Sequence, residues 1–159
     1  MANPIKTPEQ LLAYRPLKDL LATKSKALHS VRPADSVLAA LQLMADHGIG
    51  FLVVLEGDRL VGVLSERDYA RKVILQNKSS KDTPVREIMT DKVVTVALEH
   101  TIPQCMALMH AHGFRHLPVM EKDRIVGMVS IGDLVKWVIS GQKQAIEALE
   151  GYITGGYPA

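Results

Sequence analysis

The stretch LVGVLSERD at residues 60–68 recurs as IVGMVSIGD at residues 125–133, with an offset of 65 residues. At this offset, residues 31–74 match residues 96–139 without a gap and share 16 identities in 44 positions. Self-similarity at a fixed period indicates that one structural unit is present twice. The sequence therefore predicts a repeat protein with two copies of the unit.

Each copy shows the same order of predicted elements, β-α-β-β-α. A β-prone segment precedes a helix that begins at a capping residue and ends at a His-Gly pair. Two apolar strands separated by a short turn then precede a second helix. In copy one the predicted elements are Leu28–Val31, a helix from Asp35 or Ser36 to His47, Phe51–Leu55, Arg59–Leu64 and Glu66–Gln76. In copy two they are Val93–Val96, a helix from Thr101 to His112, His116–Met120, Arg124–Val129 and Ile131–Ser140.

These elements predict an α/β (α+β) fold. A unit of about 60 residues has only a marginal core alone, so we expect the two repeats to pack about a pseudo-twofold axis as one module. The predicted organisation is an N-terminal lead (1–16), repeat one (17–75), a polar linker (76–84), repeat two (85–140) and a C-terminal helix and tail (141–159).

Composition excludes several classes of protein. The chain has 159 residues, of which 47% are hydrophobic and 23% charged, and this balance is typical of globular domains. A net charge of +2 is too small for a nucleic-acid-binding surface. No apolar run approaches the roughly 20 residues of a membrane-spanning helix, and the N-terminus lacks an apolar signal core. The single cysteine, Cys105, cannot form an intramolecular disulfide, which indicates a reducing compartment. We therefore expect a cytoplasmic protein without membrane or nucleic-acid partners.

The doubled pattern resembles a pair of CBS (cystathionine β-synthase) domains, the arrangement called a Bateman module. The resemblance covers residues 17–140 and is carried in copy two by VREIMT (85–90) before VVTV (93–96), by GFRHLPV (113–119) and by IVGMVSIGD (125–133). Copy one departs from the pattern, because it has GFLVV at 50–54 where the family often has Leu-Pro-Val, and because its opening segment lacks the usual Ile-Met. The tail at 152–158 is similar to that of small stand-alone bacterial members.

The two Ser-x-x-Asp segments, Ser65 to Asp68 and Ser130 to Asp133, have two compatible interpretations. As a local pattern, each predicts a capping box, in which the serine caps a helix and the acid bonds back to it. In CBS domains, the corresponding segment holds the ribose and phosphate of an adenosine ligand. A carboxylate can accept hydrogen bonds from two adjacent ribose hydroxyls, and a helix N-terminus favours an anion.

The resemblance also implies a slot for adenine between the first β segment of a repeat and the strand after its first helix. Such a slot is apolar and has a few polar groups. The candidates are Ser30, Ile49 and Phe51 in copy one, and Thr95, Phe114, Leu117 and Pro118 in copy two. For the Ile, Leu and Pro positions, packing in the core is the alternative interpretation.

Basic residues are distributed unequally between the two predicted sites. Arg115 and His116 precede the Leu-Pro-Val strand, where the family often has residues that contact phosphate. The matching positions 50 and 51 carry no charge. Arg67 lies inside the first Ser-x-x-Asp segment and is either a phosphate contact or a solvated residue of the first helical turn. We therefore expect two sites with different ligand preferences.

The resemblance implies a non-enzymatic regulatory module, used in signal transduction or energy sensing, that binds AMP, ADP, ATP or a dinucleotide such as NAD between the repeats. The alternative is a structural or interaction module with empty pockets. No activated nucleophile or acid–base pair is visible in the sequence, so we expect no enzyme activity and no catalytic cofactor. We also expect no metal site, because the closest histidine pair, His110 and His112, is two residues apart on a helix and points to different sides.

The predicted partners are a second copy of the chain and an unidentified effector protein. A short amphipathic helix is predicted over residues 142–153, with Ile146, Leu149 and Ile153 on one side. CBS modules commonly pair through such helices, so a homodimer is expected. Cys105 falls on an apolar helix face and is interpreted as a buried small hydrophobe.

Overall fold

The computed structural model describes residues 15–25 and 27–154. Repeat one contains α1 (Leu17–Ala22), β1 (Ser30–Val31), α2 (Val37–His47), β2 (Phe51–Glu56), β3 (Arg59–Ser65) and α3 (Glu66–Tyr69), which continues into a π-helical turn, Ala70–Ile74. Repeat two contains a 3-10 turn (Val85–Glu87), β4 (Val96–Ala97), α4 (Ile102–His112), β5 (His116–Glu121), β6 (Arg124–Ser130) and α5 (Ile131–Thr154). The mixed α/β fold and the doubled β-α-β-β-α order are confirmed.

Each repeat forms one three-stranded sheet, with the strand orders β1-β2-β3 and β4-β5-β6. In the first sheet, β1 is parallel to β2 with Ser30 opposite Val53. Strands β2 and β3 form an antiparallel hairpin in which Phe51 lies opposite Ser65. The hairpin turns at Gly57, whose φ of 62° is in the left-handed region that glycine adopts without strain. Because of this register, the end of β3 lies beside the start of β2.

The helix that follows the first strand of each repeat, α2 or α4, begins and ends as predicted, whereas α1 was not predicted. Ser36 caps α2 by accepting the Ala39 N–H. Thr101 caps α4 in a capping box with Gln104. Both helices end at a glycine in the left-handed conformation, a common helix stop.

The linker between the repeats is packed against α2. The carbonyl oxygens of Thr83 and Ser80 accept the N–H groups of Val37 and Leu38 at 2.9 Å each. These are N–H groups that a helix cannot satisfy itself. Thr83 is buried, with 5% exposure. The linker therefore supplies the hydrogen-bond acceptors for the first N–H groups of α2.

The chain divides into two compact units that cut across the repeats. Of the described residues, the Asp68 unit contains 27–95 and 118–128, and the Asp133 unit contains 15–25, 96–117 and 129–154. The core of the Asp68 unit is formed by Val31, Val37, Ala40, Met44, Leu52, Val54, Leu64, Val73, Val85 and Ile88.

The opening segment of each repeat hydrogen-bonds to the entry of the other repeat's first helix. In the Asp133 unit, Leu17 N–H donates to the His100 carbonyl at 2.8 Å. In the Asp68 unit, Val85 N–H donates to the Asp35 carbonyl at 2.8 Å. Residues 100 and 35 are related by the offset of 65, so the same contact is built twice.

The structure corrects the prediction for the C-terminal helices. The predicted helices Ile131–Ser140 and 142–153 form one continuous helix, α5. A single interior glycine, Gly141, costs about 1 kcal/mol of helix stability but does not by itself end a helix. No helix among the described residues is long and apolar enough to cross a membrane. Residues 1–14 and the tail from 155 onward lie outside the described residues.

Candidate functional site

The Ser65–Asp68 segment forms a complete capping box at the junction of β3 and α3. The Asp68 N–H donates to Ser65 Oγ at 3.2 Å. In return, Asp68 Oδ2 accepts the Ser65 N–H and the Ser65 hydroxyl, both at 2.9 Å. The capping interpretation is therefore confirmed for this segment.

The Ser130–Asp133 segment has the same geometry at the junction of β6 and α5. The Asp133 N–H donates to Ser130 Oγ at 3.1 Å, and Asp133 Oδ2 accepts the Ser130 N–H at 2.8 Å. Two independent segments of the chain thus hold a serine and an aspartate in one arrangement at a helix N-terminus.

Both turns are hydrogen-bonded to the residue immediately before the preceding hairpin. The Glu66 N–H donates to the Gly50 carbonyl at 3.0 Å, and the Ile131 N–H donates to the Arg115 carbonyl at 2.8 Å. These bonds hold the predicted phosphate residue Arg115 next to the Ser130–Asp133 turn.

Each aspartate also binds a lysine that the sequence interpretation missed. Lys72 Nζ lies 2.9 Å from Asp68 Oδ1 and donates to the Ile88 carbonyl at 2.8 Å. Lys24 Nζ lies 2.6 Å from Asp133 Oδ2. Lys72 could have been found from its spacing of four residues on one helix, whereas Lys24 is 109 residues away from its partner and gives no local signal.

The electrostatics of the Asp133 turn favour an ionised carboxylate. Burial acts to raise the pKa of Asp133, but hydrogen bonds from Lys24 and Ser130 and the charge of Lys24 outweigh it, so the pKa is lowered. The pKa of His116 is also lowered, first by burial and then by the charges of Lys24 and Arg115, while Asp133 acts in the opposite direction. Four ionisable groups from three segments therefore interact in this unit.

The Asp68 unit contains all of the copy-one adenine candidates. Phe51 is half-buried and lies opposite Ser65 in the hairpin. Ile49 is half-buried and packs against the core. Ser30 is exposed on β1. The structure therefore places these three residues in the same compact unit as the Ser65–Asp68 turn.

The copy-two candidates divide between the two units. Phe114 is half-buried and stacks on His112, with ring centroids 5.4 Å apart. Leu117 is fully buried and Pro118 is buried, as the core alternative predicted. Thr95 is exposed, and Thr95 and Pro118 belong to the Asp68 unit.

Just before the hairpin, the Asp68 turn has the acidic side chain of Glu66 against Gly50, whereas the Asp133 turn has the basic residue Arg115 at the equivalent position. A Cβ built on Gly50 would lie 2.9 Å from Glu66 Oε2, so the Glu66 carboxyl group covers this position. Arg67 is exposed at the same turn.

Gly62 has a packing role, because a Cβ there would lie 2.7 Å from Met89 Sδ and 3.1 Å from the Thr90 carbonyl oxygen.

The thiol of Cys105 and the possible metal ligands were candidates for other chemistry. Burial raises the pKa of the Cys105 thiol to about 11, which keeps it protonated and a poor nucleophile. Among the described residues, no group of three or more His, Cys, Asp or Glu side chains could hold a metal ion.

The family model for the CBS domain matches residues 17–75 and 85–140. The chain belongs to the CBS domain family. It is 42% identical over 128 residues to the CBS domain-containing protein CBSX3, mitochondrial, of Arabidopsis thaliana, a match that covers 77% of this chain and 62% of the plant protein. The chain thus spans less than two thirds of that relative.

Solved structures of CBS-domain proteins have the same fold. A protein with CBS domains from Burkholderia ambifaria MC40-6 superimposes with a TM-score of 0.77 at 46% identity, covering 79% of this chain and 95% of that one. The CBS domain pair of protein MJ0100, in complex with 5-methylthioadenosine and S-adenosyl-L-methionine, superimposes with a TM-score of 0.68 at 26% identity, covering 77% and 98%.

Proposed function

We propose that this chain is a non-enzymatic regulatory CBS module that binds an adenine nucleotide: AMP, ADP, ATP or a dinucleotide such as NAD. The observation that carries this proposal is the repeated Ser-x-x-Asp turn, in which an aspartate accepts the serine N–H and the serine hydroxyl caps a helix in both units. A further support is the complex of the MJ0100 domain pair with two adenosine-derived ligands.

Each part of the ligand has a corresponding group in the chain. Asp68 or Asp133 would accept hydrogen bonds from the ribose hydroxyls. The half-buried rings of Phe51 and Phe114 offer apolar surface to adenine. Arg115, with His116 beside it, supplies positive charge for phosphate.

Removing both carboxylates tests the proposal directly. In the double variant Asp68→Ala/Asp133→Ala, we expect AMP affinity to fall about a hundredfold or more, because hydrogen bonds to charged groups contribute about 1.5–3 kcal/mol each. Isothermal titration calorimetry measures the affinity, and circular dichroism checks folding.

The repeat offers a matched control for this experiment. Asp58→Ala/Asp123→Ala also removes one aspartate from each repeat, at exposed positions in the hairpin turns, and should leave affinity unchanged. Equal affinity of the site variant and the control would contradict the assignment of Asp68 and Asp133 to ribose binding.

A structural role with empty pockets is the second candidate function. One observation favours it: Lys72 and Lys24 form ion pairs with the two aspartates that the first proposal assigns to ribose. A thermal-shift screen with AMP, ADP, ATP, NAD and S-adenosylmethionine separates the two candidates, because a ligand that binds the native state raises the unfolding temperature. A shift with none of the five would favour the structural role.

We also propose that two copies of the chain associate through α5. Ile131, Val135, Ile139, Ile146 and Leu149 follow one side of this helix and are 37–63% exposed. Their spacing of three, four and seven residues aligns them as one apolar stripe.

Ile139→Glu should therefore convert a dimer into a monomer in light scattering, whereas Leu38→Glu, at an exposed position on α2, should not. A monomeric unsubstituted chain would contradict the proposal.

The proposed setting is the cytoplasm, and the proposed output is a separate effector protein. The single buried cysteine fits a reducing compartment. A nucleotide can bias an effector only through different affinities for two states of the module.

A further inference from the structure

The start of α1 is hydrogen-bonded to a turn formed by residues 97–100, which leads from β4 to α4. The carbonyl oxygens of His100 and Leu98 accept the N–H groups of Leu17 and Lys18, at 2.8 and 3.0 Å. All of these residues belong to the same compact unit. Because a helix cannot satisfy its first N–H groups itself, the conformation of the 97–100 turn determines whether these two groups are paired.

Repeat one builds the same turn from residues 32–35. The carbonyl oxygens of Asp35 and Pro33 accept the N–H groups of Val85 and Arg86, also at 2.8 and 3.0 Å. The offset of 65 residues relates these two acceptors to their counterparts in repeat two. The chain therefore contains two copies of one docking contact, and each copy is a reference for the other.

The side chain that closes the turn differs between the two repeats. In repeat one, Oδ2 of Asp35 accepts the Arg32 N–H at 2.8 Å. In repeat two, Nδ1 of His100 accepts the Ala97 N–H at 2.9 Å. The two acceptor atoms are equivalent, because both are attached to the Cγ atom of the side chain. A carboxylate accepts such a bond down to about pH 4, whereas an imidazole accepts it only while Nδ1 carries no proton.

We propose that His100 makes the attachment of α1 sensitive to pH: the neutral imidazole holds the 97–100 turn, and protonation releases it. An imidazolium has only N–H donors, so protonation replaces the hydrogen bond from Ala97 by two opposed donors. Relief of this repulsion displaces the turn, together with the carbonyl oxygens that hold Leu17 and Lys18. Histidine is the side chain whose charge ordinarily changes between pH 5 and 8, so mild acidification is enough to loosen α1.

Few titratable side chains lie on the elements that meet at the 97–100 turn. On the turn, on α1 with the two residues before it, and on α4, they are Glu99, Arg15, Lys18, Asp19, Cys105, His110 and His112. Arg15 and Asp19 pair with each other at 3.1 Å, Cys105 is buried, and the remaining four are exposed. Among the described residues, no carboxylate forms an ion pair with the His100 ring, so none offsets the repulsion that follows protonation.

Amide hydrogen exchange of the full chain, followed by NMR at pH 7.5 and 5.5, tests the proposal. These values bracket the ordinary histidine pKa of about 6.5. The readout is the protection factor, which is the ratio of the intrinsic to the measured exchange rate, because intrinsic exchange itself changes with pH. Protection of Leu17 and Lys18 should be about five- to tenfold lower at pH 5.5, the size of one hydrogen bond. Protection of Val85 and Arg86, at the turn closed by a carboxylate, should stay unchanged.

His100→Asn is the key variant, because asparagine places an oxygen at the acceptor position and does not titrate. It should keep the protection of Leu17 and Lys18 equal at the two pH values. The matched control is His110→Gln, at an exposed position of α4, which should show the same loss as the unsubstituted chain. The half-buried His116 is present in every variant and contributes equally to all of them.

Three results would overturn the proposal. The first is equal protection of Leu17 at both pH values in the unsubstituted chain. The second is the same loss in the unsubstituted chain and in His100→Asn, which would assign the effect to another group. The third comes from Asp35→His, which does not alter the 97–100 turn and should transfer the pH dependence to Val85; unchanged protection there contradicts the proposal. None of these measurements involves a nucleotide, so this inference and the proposed function fail independently.

Discussion

The Ser65–Asp68 and Ser130–Asp133 turns have the same backbone arrangement and different charges. In each, an aspartate and a serine cap a helix and a lysine binds the aspartate. The Asp68 turn combines two acids, Glu66 and Asp68, with two cations, Arg67 and Lys72. The Asp133 turn combines one acid with the cations Lys24 and Arg115.

The source of the lysine is the clearest difference between the turns. Lys72 lies one helical turn beyond Asp68, whereas the matching position in repeat two is Trp137. The Asp133 turn instead receives Lys24 from α1. A duplicated unit has thus kept the geometry of its turn while the charges around it have diverged, so the backbone geometry of a turn does not determine its charge.

Exchanging the charges between the turns is the strongest test of this comparison. Gly50→Arg/Glu66→Ile gives the Asp68 turn the residues that the Asp133 turn has at positions 115 and 131. Removing Glu66 is needed because its carboxyl group lies 2.9 Å from the position of a Cβ at residue 50. In an Asp133→Ala background, the preference for AMP over adenosine should rise about tenfold, as measured by calorimetry.

The reciprocal variant provides the control. Arg115→Gly in an Asp68→Ala background should lower the same preference by a similar factor. If neither variant changes the ratio of the two affinities, the charges at these positions do not contact phosphate, and the two sites are equivalent despite their different residues.

Much of the fold was predictable because the repeat supplies each signal twice. The capping residues Ser36 and Thr101, the glycines that end α2 and α4, and the hairpin turns are local features, and the structure confirms them. The exchange of opening segments between repeats was not predictable, because hydrogen bonds such as that from Leu17 to His100 join distant residues. The prediction of two C-terminal helices was wrong, because Gly141 lies inside the continuous helix α5 and a single glycine does not end a helix.

The two Ser-x-x-Asp turns of the candidate site could be predicted from the sequence, but the charged side chain that binds Asp133 could not. Ser65, Asp68, Ser130 and Asp133 stand in a motif, and the motif alone specifies the capping geometry. Lys24 has no motif, since its role depends on where α1 packs. Buried Leu117 shows the opposite case, in which an apolar residue of a family pattern contributes to the core whether or not a ligand is present.

The smallest expected effect is on the pH dependence of protein stability, to which, of the two turns, only the Asp133 turn contributes a histidine. His116 is half-buried, whereas its counterpart Phe51 cannot titrate. Because the pKa of His116 is lowered in the native state, acidification through the ordinary histidine value of about 6.5 protonates the unfolded chain first. Stability supplied by the neutral imidazole is therefore lost as the pH falls from about 7 towards the lower native pKa. Lowering the pH from 7.5 to 5.5 should decrease the unfolding temperature of the unsubstituted chain by about 1–2 °C more than that of His116→Gln.

His110→Gln, which removes an exposed histidine of α4, is the control and should behave like the unsubstituted chain. Identical pH profiles for all three proteins would mean that the pKa of His116 is not lowered in the native state, by burial or by its charged neighbours, and would remove this distinction between the two turns.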